Sequence, residues 1–310
     1  MYNVVTIGSA LVDIFIHSAE FHLANSEQGV LLCEKLGDKI DVESFAVHSG
    51  GGASNTAVGF SRLGFKTAII AEIGHDNFAD TVIKELAADE VTTSLLIKER
   101  QEQTGGSVLL INKDGGRTAL VYRGASSQLG VGDLPESLFA STQWIHLGSV
   151  GGQQAVIEKI FHQAHRQHVG LSWNPGKAEL KLIAEGKLAA ENIHCQILLL
   201  NHEEWQMVTA KHDVLQQRIE QIVITNGARG GQVLTAGKDV RPFTVKPVKS
   251  VDDTGAGDAF AVGYVGGHLL GLSPTVCLEW ASANAASVVT QVGAKPGLLK
   301  RAQLEKLTKK

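Results

Sequence analysis

The stretch QILLLNHEE, residues 196–204, is an apolar run that ends in polar side chains. Such a run predicts a buried β-strand. Asn201 and Glu204 follow it, at the place where α/β proteins carry binding sites, although an N-cap followed by a first-turn acid would give the same pattern. Apolar runs that predict further strands recur along the chain as VVTIGS, KTAIIAEIG, QWIHLGS, VGLSWN and QIVITNG.

Segments with apolar residues at helical spacing lie between these runs. They include ASNTAVGFSRLG (53–64), NFADTVIKELAAD (77–89) and QQAVIEKIFHQAHRQ (153–167). Alternating strands and helices predict an α/β fold with a doubly wound, mostly parallel sheet flanked by helices. Ligands of such sheets bind beyond the carboxyl ends of the strands.

Two stretches interrupt the alternation. Residues 29–49 and 105–123 hold no helical pattern, and the second predicts a hairpin around KDGG, residues 113–116. We therefore predict a single domain over 1–310, with a small β-sheet lid formed by about 14–49 and 93–125 and inserted in the α/β core.

The composition limits the possible partners. The chain has 310 residues, of which 44% are apolar and 19% charged, and its net charge is -4. It offers no basic field for nucleic acid. Its longest apolar run is too short to span a bilayer, and its cysteines, Cys33, Cys195 and Cys277, are widely spaced, which is typical of a reducing compartment. We predict a cytoplasmic protein that binds neither nucleic acid nor membrane.

The stretch VDDTGAGDAFAVGYV, residues 251–265, combines small residues with a carboxylate. The N–H groups of Gly255, Ala256 and Gly257 can point outward at a helix N-terminus, where the helix dipole favours an anion. Asp258 would repel that anion unless it has another task, such as accepting a proton from an attacking group. The alternative is that Asp258 only complements the helix dipole in the first turn.

Two more glycine clusters follow predicted strands. SGGGASNTA places Gly51, Gly52 and Asn55 where a helix begins, and ITNGARGG places Gly227 and Gly230 after an apolar strand. Each could be a tight turn alone. The nucleotide-binding patterns GxxxxGK[ST] and GxGxxG do not occur in the sequence, which argues against a P-loop enzyme and a standard dinucleotide-binding enzyme.

Six segments together resemble a known family. They are GSALVD, GGGASN, NHEE, TNGARGG, DDTGAGDAF and SANAASVVTQVGA, in that order. They resemble the signature segments of the ribokinase-like (PfkB) carbohydrate kinases, and the resemblance covers nearly the whole chain. It implies an ATP-dependent kinase in which Asp258 is the catalytic base and the amides of residues 255–257 bind the phosphoryl group.

The resemblance also implies binding roles for other residues. The substrate hydroxyls would contact Asp13, Gly51, Gly52 and Asn55. The nucleotide would contact Asn201, Thr225, Gly227, Gly230 and Asn284. Magnesium would be associated with Glu204, and a monovalent cation, potassium, with Asp252. The sequence departs from the family pattern at Asp253, where Thr or Pro is usual, and at Ser172, where an acid is frequent.

The resemblance leaves more than one class of substrate open. Family members that act on phosphosugars usually carry an arginine in the lid, where this chain has QTGGSVL with Gly105. That favours an unphosphorylated sugar. Arg123 resembles the arginine that ketodeoxygluconate kinases use on an acid group, although it could also be an exposed strand residue. Adenosine or another nucleoside is the alternative substrate, because nucleoside kinases share the fold and both signatures, but we predict a sugar.

Two further predictions concern catalysis and assembly. An ATP-binding module without catalysis is an alternative to the kinase, although the presence of Asp258 argues against it. A small sheet with one exposed apolar face is poorly stable alone. The family often covers that face by pairing two lids, so we predict a homodimer through the lid.

Overall fold

The computed structural model describes residues 1–27, 29–113, 116–236 and 239–308. In chain order, the strands are β1 (Tyr2–Ile7), β2 (Leu11–His17), β3 (His22–Ser26), β4 (Gly29–Cys33), β5 (Ser44–Gly50), β6 (Thr67–Ile70), β7 (Glu72–Ile73), β8 (Ile97–Lys98), β9 (Gly105–Ile111), β10 (Arg117–Tyr122), β11 (Thr142–Leu147), β12 (Gly170–Trp173), β13 (Ile197–Asn201), β14 (Gln221–Thr225), β15 (Gly231–Thr235) and β16 (Val240–Phe243).

The α-helices alternate with these strands. They are α1 (Gly52–Arg62), α2 (Asn77–Ala88), α3 (Glu136–Ala140), α4 (Gln154–Arg166), α5 (Lys177–Ala184), α6 (His202–Met207), α7 (His212–Arg218), α8 (Ala256–Leu269), α9 (Pro274–Val288) and α10 (Arg301–Thr308). In the ranges given above, no helix is long and apolar enough to cross a membrane.

The main sheet has eight strands in the order β16-β15-β14-β13-β12-β11-β1-β6. Strands β6, β1 and β11 to β14 are parallel, and β15 and β16 are antiparallel additions at one edge. The predicted doubly wound, mostly parallel α/β fold is therefore confirmed. Because the parallel strands share a direction, their carboxyl ends lie along one edge of the sheet.

Apolar layers cover both faces of the main sheet. Neighbouring residues of one strand point to opposite faces. Val4 belongs to the apolar layer that includes Phe260 of α8 and Trp280 of α9, whereas Val5 belongs to the layer that includes Ile157 of α4. Burial on both faces explains why the strands are nearly continuous apolar runs. This packing holds the helix starts at the carboxyl edge of the sheet.

A separate small sheet has the order β10-β9-β2-β5. Its buried face holds Phe15, Leu109 and Ile111, while Phe45 and Leu120 are 62% and 59% exposed. The predicted hairpin is present as the antiparallel pair β9–β10, and its turn residues 114 and 115 lie outside the described residues. Strand β5 runs directly into α1, which places the small sheet beside the start of that helix. That this sheet acts as a lid stays a prediction.

Candidate active site

The start of α8 forms the centre of the site. Gly255 caps this helix with φ of 79°, a left-handed conformation that favours glycine. A Cβ atom at Gly255 would also lie 2.3 Å from the Cβ of Ala294. The Ala256 amide makes a long hydrogen bond of 3.3 Å to the Asp253 carbonyl. The amides of residues 255–257 thus lie at the positive end of a long helix, as an anion hole requires.

Asp258 lies in the first turn of α8 and contacts Asn55 in the first turn of α1. The Asn55 Nδ2 donates a hydrogen bond of 2.8 Å to Asp258 Oδ2. Burial raises the pKa of Asp258 to about 6, with the Asn55 hydrogen bond acting against the rise and the charge of Asp13 adding to it. The carboxylate is therefore ionised at neutral pH and has a higher proton affinity than an ordinary aspartate, which suits a general base.

Asp13 lies in β2, shortly after the end of β1. Ser107 Oγ donates a 2.6 Å hydrogen bond to Asp13 Oδ1, and burial raises the pKa of Asp13 against the effect of that bond. A Cβ atom on Gly50 would lie only 2.0 Å from Asp13 Oδ2, so the glycine leaves the room that this carboxylate occupies. The side chain is held in one place in the small sheet.

Asn55 has an unsatisfied acceptor. The residue is 4% exposed, and among the described residues its buried Oδ1 has no hydrogen-bond partner. A buried acceptor without a partner costs about 1–3 kcal/mol. Because Asn55 holds Asp258 with its nitrogen, its free oxygen is available for a ligand donor such as a hydroxyl group. Asp13, Asn55 and Asp258 are called the carboxylate cluster below.

Gly51 and Gly52 lie at the start of α1 and connect this cluster to the main sheet. The Gly52 amide donates to Ser9 Oγ at 3.1 Å, and the Ala53 amide donates to the Ser9 carbonyl at 3.1 Å. Ser9 follows β1, so α1 begins just beyond the carboxyl end of that strand. The structure thus brings the predicted substrate-binding residues other than Arg123 to one place.

A second group of predicted site residues lies at the ends of β13 and β14. We call it the loop cluster: Asn201, Glu204, Thr225, Gly227 and Gly230. Asn201 Oδ1 accepts from the Glu204 amide at 2.9 Å, and Glu204 Oε2 accepts from the Asn201 amide at 2.8 Å. This capping box starts α6. Burial raises the pKa of Glu204.

Thr225 and the two glycines of the loop cluster complete that edge. Thr225 ends β14 and donates a 3.4 Å hydrogen bond to the Leu200 carbonyl. Gly227 begins the 3₁₀ turn Gly227–Arg229, and Gly230 follows it. Since β13 and β14 are parallel neighbours, these residues lie beside Asn201. Their predicted nucleotide contacts stay predictions.

Asn284 is fully buried and bonded on both sides of its amide group. Its Nδ2 donates to the Ala259 carbonyl at 2.7 Å, and its Oδ1 accepts from the Leu299 amide at 2.8 Å. The residue therefore ties α9 to α8, and a nucleotide contact stays a prediction. On one side of α9 lies a cavity of about 910 Å³ whose lining includes Thr244, Lys246, Val248, Ser282, Ala283 and Ala286.

Two charged residues at the site carry no signal in the sequence patterns. Lys295 is 6% exposed. Its Nζ donates to Ser49 Oγ and, at 2.7 Å, to Ser54 Oγ, and it lies 3.8 Å from Glu85 Oε2. Burial lowers the pKa of Lys295 to about 8, with Glu85 acting against this. Ser49 and Ser54 flank the glycines at the start of α1. Through these two hydrogen bonds, Lys295 holds the segment that carries Asn55 of the carboxylate cluster.

Arg117 is the second residue without a sequence signal, apart from its place just after KDGG. Its Nη1 donates to Asp252 Oδ1 and to Thr254 Oγ1, both at 2.7 Å. Asp252, the predicted potassium ligand, is buried. It also accepts hydrogen bonds from the amides of Thr254 and Gly293 at 3.0 and 2.9 Å.

Arg123 and the two departures from the family pattern lie outside the carboxylate cluster. Arg123 is exposed at the end of β10, and a Cβ on Gly105 would lie 2.6 Å from its carbonyl oxygen. Ser172 is fully buried and contacts Trp144 Nε1 at 2.9 Å. Asp253 is exposed and accepts a hydrogen bond from Ser250 Oγ.

Comparison with known proteins identifies the family. The family model described as pfkB family carbohydrate kinase matches residues 1–301. The chain belongs to the pfkB family of carbohydrate kinases. A nucleoside kinase of Methanothermobacter thermautotrophicus is similar to this kinase, with 23% identity over 96% of this chain and 92% of its own length.

A sugar kinase and a solved structure are similar as well. A fructokinase of Escherichia coli is 28% identical over 83% of this kinase and 90% of its own length. An E. coli crystal structure that holds ATP and magnesium covers 99% of both chains with a TM-score of 0.81 and 21% identity. The structural match shows the fold, and the relatives include kinases of both sugars and nucleosides.

Proposed function

We propose that this kinase transfers the γ-phosphoryl group of ATP to a hydroxyl of an unphosphorylated sugar. The observation that carries the proposal is the carboxylate cluster beside the start of α8. Asp258 has a raised pKa there, and Asn55 holds it while presenting a free buried oxygen. An ionisable base, a hydroxyl-binding oxygen and an anion hole within one site are the groups that phosphoryl transfer to an alcohol needs.

In the proposed reaction Asp258 Oδ accepts the proton of the substrate hydroxyl. The hydroxyl oxygen forms a bond to the γ-phosphorus while the bond from that phosphorus to the leaving oxygen of ADP breaks. Asp13 and Asn55 orient the other hydroxyls of the substrate, and the backbone of residues 255–257 stabilises the negative charge on the transferred group. Asp258 then carries the proton until it passes to solvent.

Magnesium fits the loop cluster because carboxylate and amide oxygens are ligands that it prefers. Glu204 would hold it, and Asn201, Thr225, Gly227, Gly230 and Asn284 would contact or support the nucleotide. Bound magnesium would neutralise charge on the phosphates. Asp252 does not fit the predicted potassium ion, because the Arg117 guanidinium already contacts it.

The test is a coupled ADP-release screen across pentoses, hexoses, aldonic acids and nucleosides, with Asp258→Asn as the blank. We expect the wild-type protein to release ADP with at least one neutral sugar, and we expect the Asp258→Asn variant to release none above background. If ADP were released with nucleosides and with no sugar, the protein would be a nucleoside kinase. This second candidate function is favoured by the similarity to a nucleoside kinase. ATP binding by calorimetry without ADP release on any compound would show a non-catalytic ATP-binding module and overturn the proposal.

Arg123 supports a sugar acid as a third candidate, because it is an exposed cation directly after β10 of the small sheet. If it binds a substrate carboxylate, Arg123→Ala should raise KM for aldonic acids about tenfold or more and leave neutral sugars unchanged. If Arg123→Ala and the wild type phosphorylated every sugar acid at equal rates, Arg123 would be an ordinary exposed residue without a role in binding.

The small sheet would be the lid of the site and the surface of a homodimer in the cytoplasm. Its exposed apolar side chains, Phe45 and Leu120 among them, support pairing of two such sheets. Free cysteines, one exposed at Cys33, suit a reducing compartment. Light scattering that shows only monomer at about micromolar concentration would count against the dimer.

A further inference from the structure

Arg117 joins the small sheet to the loop that leads into the anion hole. It is the first residue of β10, and its Nη1 lies 2.7 Å from Asp252 Oδ1 and 2.7 Å from Thr254 Oγ1. Thr254 Oγ1 in turn donates to Asp252 Oδ1 at 2.7 Å. The three side chains thus form a closed set of hydrogen bonds between two parts of the chain that are far apart in sequence.

The carboxylate of Asp252 is fully supplied with donors. Its Oδ1 receives hydrogen bonds from Arg117 and from the amide and hydroxyl of Thr254, and its Oδ2 receives one from the Gly293 amide. The Asp252 side chain is 2% exposed, whereas that of Arg117 is 39% exposed. Arginine stays protonated in proteins, so the buried negative charge is neutralised from within the chain.

The position of this ion pair gives it a consequence for catalysis. Residues 252–254 lead without interruption to Gly255, the cap of α8. The guanidinium therefore fixes the loop that presents the amides of residues 255–257. By neutralising Asp252, it also keeps a buried negative charge from opposing the negative charge that the proposed reaction develops at the end of this loop.

We propose that Arg117 is a built-in cation of this loop, so that the kinase needs no monovalent metal ion at Asp252. The inference rests on the proposed phosphoryl transfer and concerns what activates the site. Arg117 is a positioning residue, since it acts through Asp252 and Thr254. An exposed ion pair contributes little, but loss of a partner from a buried carboxylate leaves an uncompensated charge. Without Arg117, a small cation should therefore become necessary.

The experiment compares potassium with tetramethylammonium, a bulky cation whose methyl groups keep its charge away from oxygen ligands, as the sole monovalent cation at about 100 mM. The substrate is the compound that gives ADP release in the screen. We expect wild-type rates in the two salts to agree within about twofold. Arg117→Gln should lose about 10-fold or more in tetramethylammonium and recover most of this loss in potassium.

A second readout does not depend on turnover. Potassium should raise the Tm of Arg117→Gln by about 2 °C relative to tetramethylammonium, because the ion binds only the folded protein, and it should leave the wild-type Tm unchanged. Arg301→Gln is the matched control. It breaks an arginine–carboxylate pair of the same 2.7 Å length on the exposed surface of α10 and should behave like the wild type in both salts.

Activation of the wild type by potassium of about tenfold or more would overturn the inference. So would an Arg117→Gln variant with wild-type rates in tetramethylammonium. Both results leave the proposed function intact, since ADP is still released. Absence of ADP release from every compound in both salts would instead overturn the proposed function, and this inference with it.

If Arg117→Gln does not fold, the double variant Arg117→Gln/Asp252→Asn removes the unpaired carboxylate as well. It should fold and show no rise of Tm in potassium. A potassium response in the double variant would place the cation elsewhere and overturn the inference.

Discussion

The carboxylate cluster and the loop cluster lie at the same edge of the main sheet but are built differently. In the carboxylate cluster, Asp13 and Asn55 are buried, burial raises the pKa values of both carboxyl groups, and Asn55 keeps an acceptor without a partner in the described structure. In the loop cluster, Asn201 and Glu204 satisfy each other through a local capping box.

This difference indicates how each cluster would meet its ligand. Buried polar groups are costly unless bonded, so the carboxylate cluster is pre-organised for a small ligand that completes its hydrogen bonds. The loop cluster has its hydrogen bonds satisfied without a ligand, because helix capping and a tight turn hold it, although burial raises the pKa of Glu204 here too. Such a frame suits a nucleotide that brings its own charge and metal. Substitutions in the carboxylate cluster should therefore change the reaction rate and the stability of the protein, whereas substitutions in the loop cluster should change the affinity for the nucleotide.

The largest effect is expected from Asp258→Asn. Loss of a positioned base should lower kcat by about 10²–10⁴-fold. A raised pKa means that the folded state binds the proton more tightly than the unfolded state. The stabilisation from protonation is therefore present at acid pH and is lost as pH rises through about 6. At pH 8 the neutral Asn variant should thus be at least as stable as the wild type.

Asp253→Asn is the matched control for this variant, because Asp253 is an exposed carboxylate of the same loop. Its kcat and Tm should equal those of the wild type. In the wild type, kcat/KM should fall below about pH 6 as Asp258 becomes protonated. The assignment of Asp258 as the base would be contradicted by a kcat for Asp258→Asn near that of the wild type. It would also be contradicted by a wild-type kcat/KM that does not fall at acid pH.

Glu204→Gln should have a smaller effect than Asp258→Asn, and the effect should be on the KM for MgATP and not on kcat. The amide oxygen of Gln can still accept the hydrogen bond from the Asn201 amide, so the cap and the Tm should be nearly unchanged. Loss of the carboxylate charge should raise KM for MgATP by about 10-fold. The measurement is a titration of MgATP at saturating acceptor.

Glu203→Gln tests whether that effect belongs to one position. Glu203 is the exposed neighbour in the first turn of α6, and its replacement should change neither constant. If Glu203→Gln and Glu204→Gln raised KM equally, the effect would come from net charge at the helix start. The loop cluster would then have no specific metal ligand.

The sequence predicts the parts of both clusters that depend on short-range order. QILLLNHEE becomes β13 and the cap of α6, and the glycines before Asp258 become the start of α8. These features follow from apolar runs, turn residues and capping residues within about ten positions. Local patterns therefore suffice for the elements of the fold, whereas the roles of the site residues follow from the resemblance to the family and stay predictions.

The contacts that bind distant segments could not be predicted from those patterns. Asn55 and Asp258 are 203 residues apart, Arg117 and Asp252 are 135 apart, and Lys295 and Ser49 are 246 apart. Each contact depends on how helices and sheets pack in three dimensions, which periodicity does not specify. Asn284 shows the same limit, because its bonds to Ala259 and Leu299 give it a structural role that its motif did not indicate.

Lys295→Met should give the smallest change in activity and extends the comparison to protein stability. At neutral pH, Lys295 is protonated in both the folded and the unfolded protein. Its folded pKa of about 8 lies below the ordinary value of 10.5, so between these values the unfolded state binds more protons. Wild-type stability should therefore rise with pH over this window relative to the Met variant. Loss of the hydrogen bonds to Ser49 and Ser54 should cost about 1–3 kcal/mol at pH 7.

Urea unfolding at a series of pH values from 7 to about 10.5 measures both effects. Lys300→Met, at an exposed lysine nearby, is the matched control and should show no difference in pH slope from the wild type. A parallel pH dependence of Lys295→Met and the wild type would show that the lysine is not buried as a charge. The carboxylate cluster would then lack its charged support, and its contrast with the locally satisfied loop cluster would rest on Asp13, Asn55 and Asp258 alone.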